Sequence, residues 1–463
     1  MGHHHLDIHN PATGQLLATV PADSAASVAA KAAAARAAQP GWAAAPMEAR
    51  RDAIRHFRSG LVAEIDTLAT ALTQEMGKPL SQARNEINGL LGRIDFFLEH
   101  AERAVADEHV FDDGGMHEQI THVPLGVVAN ISAWNYPYFV GCNVIVPALL
   151  TGNAVLYKPS EHATLTGLHI TRLLHAAGVP ADVMPCLVGA GAVGAALLEQ
   201  RIDGLFFTGS HATGQRIAVA LAPRLVKLQL ELGGKDPSYV RADMNQSADT
   251  RAAAESLADG AMYNTGQSCC SVERIYVHES IHDAFVQHFV ATVSAFRMGD
   301  PMAADTYIGA ITRTPQLAVL EAQVADAVAQ GARLLCGGRR RPGPGNWFEP
   351  TVLSHVNHRM ELMREECFGP VIGIQKVGSD DEAVALMNDT RYGLTAGIYT
   401  RDETVARALL SRVNAGSVYW NCCDRVSPRL PWSGVGDSGL GVTLSAHGIQ
   451  TFTRTKAWHL RQP

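Results

Sequence analysis

From Gly126 onward, short apolar runs alternate with helix-length segments, and this alternation limits the fold more than any other feature of the chain. Val127–Ile131, Ala154–Tyr157, Met184–Val188 and Gly204–Phe207 each read as a strand. Residues 140–150, 164–177 and 192–199 between them read as helices. Strands that alternate with helices imply a parallel, doubly wound α/β sheet.

A chain of 463 residues exceeds one ordinary core, so two or three domains are expected. Upstream, the Ala-rich 24–39 and the helically spaced apolar residues of 48–68 and 80–106 read as helices. Residues 108–124, turning at Asp112-Asp113-Gly114-Gly115, read as a β-hairpin that leaves the main body. A second α/β region runs from 233 to 435, with strands at Arg274–Val277, Arg333–Cys336, Val371–Val377 and Ser417–Trp420. The tail Gln450–Leu460 alternates weakly, as an added edge strand would. The expected division is one α/β body over 1–108 and 125–232, a second over 233–435, and a small β arm from 109–124 and 448–463.

The net charge is −7 and no basic block occurs, which argues against nucleic acid as a partner. Eight cysteines are scattered without a C-x-x-C pair, so a reducing cytoplasm is expected rather than a disulfide framework. No apolar run reaches membrane-spanning length, and no signal-peptide core is present. His3-His4-His5 read as a tag remnant.

Two motif matches fail on context. Gly189-Ala190-Gly191-Ala192-Val193-Gly194 fits G-x-G-x-x-G, but the next strand, Leu205-Phe206-Phe207-Thr208-Gly209, ends without the acid that holds a ribose. His278-Glu279-Ser280-Ile281-His282 fits H-E-x-x-H, which works only on one helix. Here a β-rich run leads into His278, and Ser280 reads as the N-cap of a helix starting near Ile281, so no metal site is expected.

Gly266-Gln267-Ser268-Cys269-Cys270 sets a cysteine behind a turn, 38 positions after Glu231 of Glu231-Leu232-Gly233-Gly234-Lys235. A thiol nucleophile and a carboxylate base suit attack on a carbonyl followed by base-assisted hydrolysis. Cys270 is the runner-up nucleophile. Both motifs resemble those of the aldehyde dehydrogenase superfamily. So do Trp134-Asn135-Tyr136-Pro137, Phe207-Thr208-Gly209-Ser210 with Gly214, Glu365 through Pro370, and shorter matches from Asn10 to Gly441. The resemblance implies a dinucleotide-binding domain in the first body, a catalytic domain in the second and an oligomerisation arm. It assigns the nucleophile to Cys269, the base to Glu231, and the oxyanion donors to Asn135 and the Cys269 amide. It gives Trp134, Lys158, Ser160, Glu161, Gly209, Ser210, Gly214, Glu366 and Phe368 to the cofactor. Ser210 would cap a helix whose amides face the pyrophosphate. Glu161 favours NAD, with NADP possible. A homodimer or homotetramer is implied, with a small-molecule aldehyde as the other partner.

This chain departs from the family pattern at several places. The Glu231–Cys269 interval is longer than in many relatives, which places an insertion within 241–255. Asn143-Val144 replaces a Trp-Lys pair, and Val442-Thr443 replaces Arg-Glu, which puts a proton relay to the base in doubt. Pro431 through Gly436 alters the motif at the pocket rim. The substrate funnel is expected from Tyr136, Phe139, Asn143, Cys270, Cys423 and the loop Asn421–Leu430. Tyr136 and Phe139 favour an apolar or aromatic aldehyde. Alternatively, Arg425 or Arg429 holds the carboxylate of a semialdehyde. A CoA-acylating enzyme and a non-catalytic nucleotide-binding homologue are the remaining alternatives, and Glu231 argues against the first of these.

Overall fold

The computed structural model describes residues 5–462. His3 and His4 lie outside that range, while His5 opens the strand His5–His9, which pairs with Leu16–Pro21.

Two α/β sheets carry the molecule. The first has five strands in the order Gly439–Leu440, Lys227–Glu231, Gly204–Thr208, Val127–Ile131, Ala154–Lys158. All neighbours are parallel except Gly439–Leu440 on Lys227–Glu231. Gly204–Thr208, Val127–Ile131 and Ala154–Lys158 are buried along nearly their whole length, as continuous apolar runs under helices should be. Helices Ala25–Ala44 and Pro137–Leu150 pack on this sheet. Met47–Ala63, Ile65–Met76 and Leu80–Ala104 add an outer helical layer. The segment 48–68, expected as one helix, divides at Glu64, whose backbone leaves helical geometry at ψ 13°.

Met184–Val188 is not a ladder strand. It touches Ala154–Lys158 through a single bridge, Tyr157 to Cys186. Pro185 in its middle has no N–H to donate, which limits the pairing.

The second sheet has seven strands in the order Arg333–Cys336, Thr351–Ser354, Val371–Val377, Val272–His278, Asp236–Val240, Thr395–Tyr399, Ser417–Trp420. Only Arg333–Cys336 runs antiparallel. His278 ends one strand and His282 begins the next helix, so the two histidines do stand on different elements. Ser280 is not the cap, because its hydroxyl bonds the His278 ring at 2.9 Å and Ile281 takes the cap position. A third, antiparallel sheet joins Glu108–Asp113, Met116–Pro124 and the C-terminal Thr453–Arg461. Among the described residues, no helix is long and apolar enough to cross a membrane.

Four strands of the first sheet run parallel, so their carboxyl ends share one edge. Asn135, Lys158, Ser210 and Glu231 stand at or just beyond those ends. Cys269 lies just before Val272–His278, at the amino edge of the second sheet. The candidate site lies where these two edges meet, as open α/β sheets favour.

Candidate active site

The turn before Cys269 is left-handed over three residues, with φ 54° at Asn264, 58° at Thr265 and 68° at Gly266. Only glycine fits the last position, because a Cβ there would lie 2.2 Å from the Gly369 carbonyl oxygen. The buried Gln267 side chain fixes the turn from inside. Its Nε2 donates to the Asn264 and Ala310 carbonyls at 3.3 Å each, and its Oε1 accepts from the Thr312 amide at 2.9 Å. Cys269 is half-buried and faces a cavity, whereas Cys270 is buried. The Cys270 thiol donates to Asp424 Oδ1 at 3.0 Å. Its hydrogen bond with Cys269, burial and the Asp424 charge push Cys270 well above an ordinary thiol. That shift and its burial disfavour Cys270 as a nucleophile, and Cys269 is the more open of the two.

Asn135 is tied into the same turn. Its Nδ2 donates to the Gln267 carbonyl at 3.2 Å. Its own carbonyl accepts from Asn264 Nδ2 at 3.1 Å and from Lys78 Nζ at 2.8 Å. Lys78 is fully buried and pairs with Glu86, whose other oxygen accepts the Tyr138 amide at 2.9 Å. Glu231 ends its strand with a buried carboxylate. Burial raises it above the usual carboxylate range, against the donors Thr443 Oγ1 and Gln229 Nε2 and the charge of Arg93. Thr443, at the position where the family pattern has an acid, thus bonds the base directly.

Cys269, Asn135 and Glu231 line one cavity of about 580 Å³, together with Cys270 and the expected Tyr136, Phe139 and Asn143. Cys423 does not line it. It is buried behind the wall, with its thiol 3.4 Å from the Ser256 carbonyl and its side chain against Gly260. The following residue, Asp424, has φ 47°, and it reaches the cavity instead. Arg425 and Arg429 lie on the rim and are exposed.

Sequence reasoning missed a whole wall. Asn85, Gly89, Gly92 and Arg93, all from helix Leu80–Ala104, face the cavity. Their spacing of four, seven and eight is that of one helix face, a signal that was present but polar and small rather than apolar. A Cβ on Gly89 would meet the Phe139 ring at 2.7 Å. Tyr136 and Phe139 stack at 5.9 Å between two cations, Lys78 Nζ 3.8 Å from the Tyr136 ring and Arg93 Cζ 3.8 Å from the Phe139 ring.

On the cofactor side, the buried Lys158 ammonium lies 3.2 Å from the Pro159 carbonyl and 3.6 Å from Glu161, with Ser160 between them. Glycine loop 189–194 opens helix Gly191–Leu198 beside the Lys158 side chain. Gly209 and Ser210 lead into helix His211–Leu221, and Gly214 of that helix packs against Leu232. Ser210 holds the cap position, but its hydroxyl bonds Thr213 Oγ1 at 3.1 Å and makes no cap bond to the backbone. Glu366 accepts the Gly234 amide at 3.0 Å, and burial pushes it to about 8. Phe368 sits edge-on to Trp134 at 5.5 Å. Glu273, which the sequence did not single out, accepts the Cys367 and Phe368 amides at 2.8 and 3.0 Å and the Lys235 ammonium at 2.5 Å. It anchors the loop that carries Glu366 and Phe368.

A family model described as "Aldehyde dehydrogenase family" matches residues 2–458. The 3,6-anhydro-alpha-L-galactose dehydrogenase of Streptomyces coelicolor is 37% identical, over 99% of this chain and 94% of its own length. A succinate-semialdehyde dehydrogenase [NADP(+)] of Mycobacterium tuberculosis is 36% identical, over 86% of each chain. The solved structure of P. syringae AldA, an indole-3-acetaldehyde dehydrogenase in complex with NAD+ and IAA, superposes with a TM-score of 0.95 at 32% identity, over 99% of this chain and 93% of that one. With a cysteine, an asparagine amide and a glutamate facing one cavity between two α/β sheets, and with matches of this length, the chain belongs to the aldehyde dehydrogenase family.

Proposed function

We propose that this protein oxidises an aldehyde to the carboxylic acid with NAD(P), using Cys269 as nucleophile, Glu231 as base and Asn135 as oxyanion donor. The observation that carries this reading is that all three side chains line one cavity, with Cys269 half-buried and its neighbour Cys270 buried. Lys158, Ser160 and Glu161 offer an ammonium, a hydroxyl and a carboxylate at one strand end, a set that suits a ribose. The start of helix His211–Leu221 suits a pyrophosphate. Glu366, Phe368 and Trp134 would hold the nicotinamide end. Relatives named for NADP(+) and solved with NAD+ support either dinucleotide.

In the proposed reaction the Cys269 thiolate adds to the carbonyl carbon, and the oxygen takes up negative charge. The Asn135 amide and the Cys269 N–H stabilise that oxyanion, the contribution such donors make best in a water-poor site. When bound, the nicotinamide supplies the two-electron acceptor that leaves a thioester on Cys269. Glu231 then takes a proton from water, which attacks the thioester and frees the acid. Thr443 and Gln229 hold the Glu231 carboxylate, so the family's missing acid is replaced by a hydroxyl that orients the base. The three-stranded sheet with Thr453–Arg461 would pair subunits into a homodimer or homotetramer, and sedimentation measures which. A cytoplasmic location agrees with eight free cysteines.

The test is pre-steady-state. Glu231→Gln should release about one equivalent of reduced nicotinamide per active site and then stall as an acyl-enzyme, while Cys269→Ala should release none. Full steady-state turnover by either variant ends the proposal, and rates that rise with CoA would favour acyl transfer instead.

A further inference from the structure

We propose that Arg93, with Asn143, forms an anion subsite that selects aldehydes carrying a second, negatively charged carboxylate. This rests on the reaction assigned to Cys269 above and specifies its substrate.

Arg93 is 6% exposed, yet it lines the cavity that holds Cys269. A guanidinium carries five N–H donors. Among the described residues its one side-chain hydrogen bond is from Nη1 to Asn143 Oδ1, at 3.0 Å, and no carboxylate lies within 4.0 Å. Its plane is supported by the Phe139 ring instead. A buried cation with no carboxylate in direct contact is costly, and an arriving anion recovers part of that cost. Accepting from Arg93 turns Asn143 so that its Nδ2 is left as a further donor at the same place. A planar fork beside an amide suits the two oxygens of a carboxylate.

The other charges of the cavity do not replace this site. Arg425 and Arg429 are exposed on the rim, where water weakens a charge contact. Asp259 takes the Tyr307 hydroxyl and Asp424 takes the Cys270 thiol, so both acids already have a donor. Glu231 lies near enough for Arg93 to favour its charged form, so a role confined to Glu231 is the rival account.

The experiment compares succinic semialdehyde with butanal, which has the same number of carbons and no charge. The parent enzyme should prefer the semialdehyde by about tenfold or more in kcat/KM. Arg93→Met should lose most of that preference, its kcat/KM for the semialdehyde falling about tenfold further than its kcat/KM for butanal. Arg93→Lys should restore part of it, and Asn143→Ala, which leaves the guanidinium in place, should lose part of it. Arg425→Ala and Arg429→Ala should leave it intact. Equal use of both aldehydes by the parent overturns the proposal. So does an equal fall for both substrates in Arg93→Met, the result expected if Arg93 serves Glu231 alone. If Arg93→Met does not fold, Asn143→Ala decides, since an unchanged preference there also overturns it. Failure of the reaction reading looks different: no aldehyde in either class would then be oxidised through Cys269.

Discussion

Lys78 and Arg93 are both buried cations, and each lies 3.8 Å from an aromatic ring of the same stacked pair. Their surroundings differ in one respect. Lys78 has a carboxylate, Glu86, and a fixed task, holding the carbonyl of Asn135. Arg93 has only the oxygen of an amide. Burial lowers both, Arg93 to about 10; Glu86 opposes the shift of Lys78 by direct contact, whereas Glu231 opposes that of Arg93 only from a distance. A paired buried charge belongs to the framework, whereas an unpaired one beside a cavity is arranged for something that comes and goes.

The largest effect should come from the paired cation. Lys78→Met leaves Glu86 buried without its partner, which costs about 3–5 kcal/mol. Urea unfolding should show that loss, and kcat should fall with it as Asn135 loosens. A variant as stable as the parent would erase the distinction between the two cations. Next comes the pH profile of acyl-enzyme hydrolysis. In the proposed reaction Glu231 acts as the carboxylate, and burial raises it, so the acid limb should lie above the usual carboxylate range. Thr443→Val removes the donor that most opposes the shift and should move the limb to higher pH, by up to about one unit. Removing a nearby positive charge disfavours the carboxylate in the same direction. Arg93→Met should therefore shift the limb upward by less, about half a unit. An unmoved or lowered limb would show that Arg93 does not act on Glu231. The smallest effect should be on the stability of Arg93→Met. No carboxylate is orphaned there, so unfolding should stay within about 1 kcal/mol of the parent. A loss as large as that of Lys78→Met would make Arg93 part of the framework after all.

The fold was legible where one strand or helix declares itself. Val127–Ile131, Gly204–Phe207 and Val371–Val377 are contiguous apolar runs, and each is a strand. Cys269, Glu231 and Asn135, which share one cavity, each sit in a short motif of their own. What escaped was the set of contacts between segments far apart in the chain. Thr443 reaches Glu231 across 212 positions, and Glu273 reaches Cys367 across 94. No local pattern announces such pairs. Tyr136 and Phe139 line the cavity as their motif implies, and each ring also carries a cation on its face, which no local pattern announces. Arg93 was missed because an arginine on a long amphipathic helix reads as solvated surface. Cys423 was misplaced by a single position, since the left-handed backbone at Asp424 turns the next side chain to the other side.

The close approach at Gly266 ties two functions together. The backbone ahead of the thiol rests directly on Gly369, one residue past Phe368. The Gly234 position likewise leaves no room for a Cβ beside the carbonyl of Cys269. The turn that bears Cys269 and the loop that bears Phe368 are therefore packed backbone against backbone. Enlarging either glycine would misalign the sulfur and the redox partner together, even with every reactive group still present.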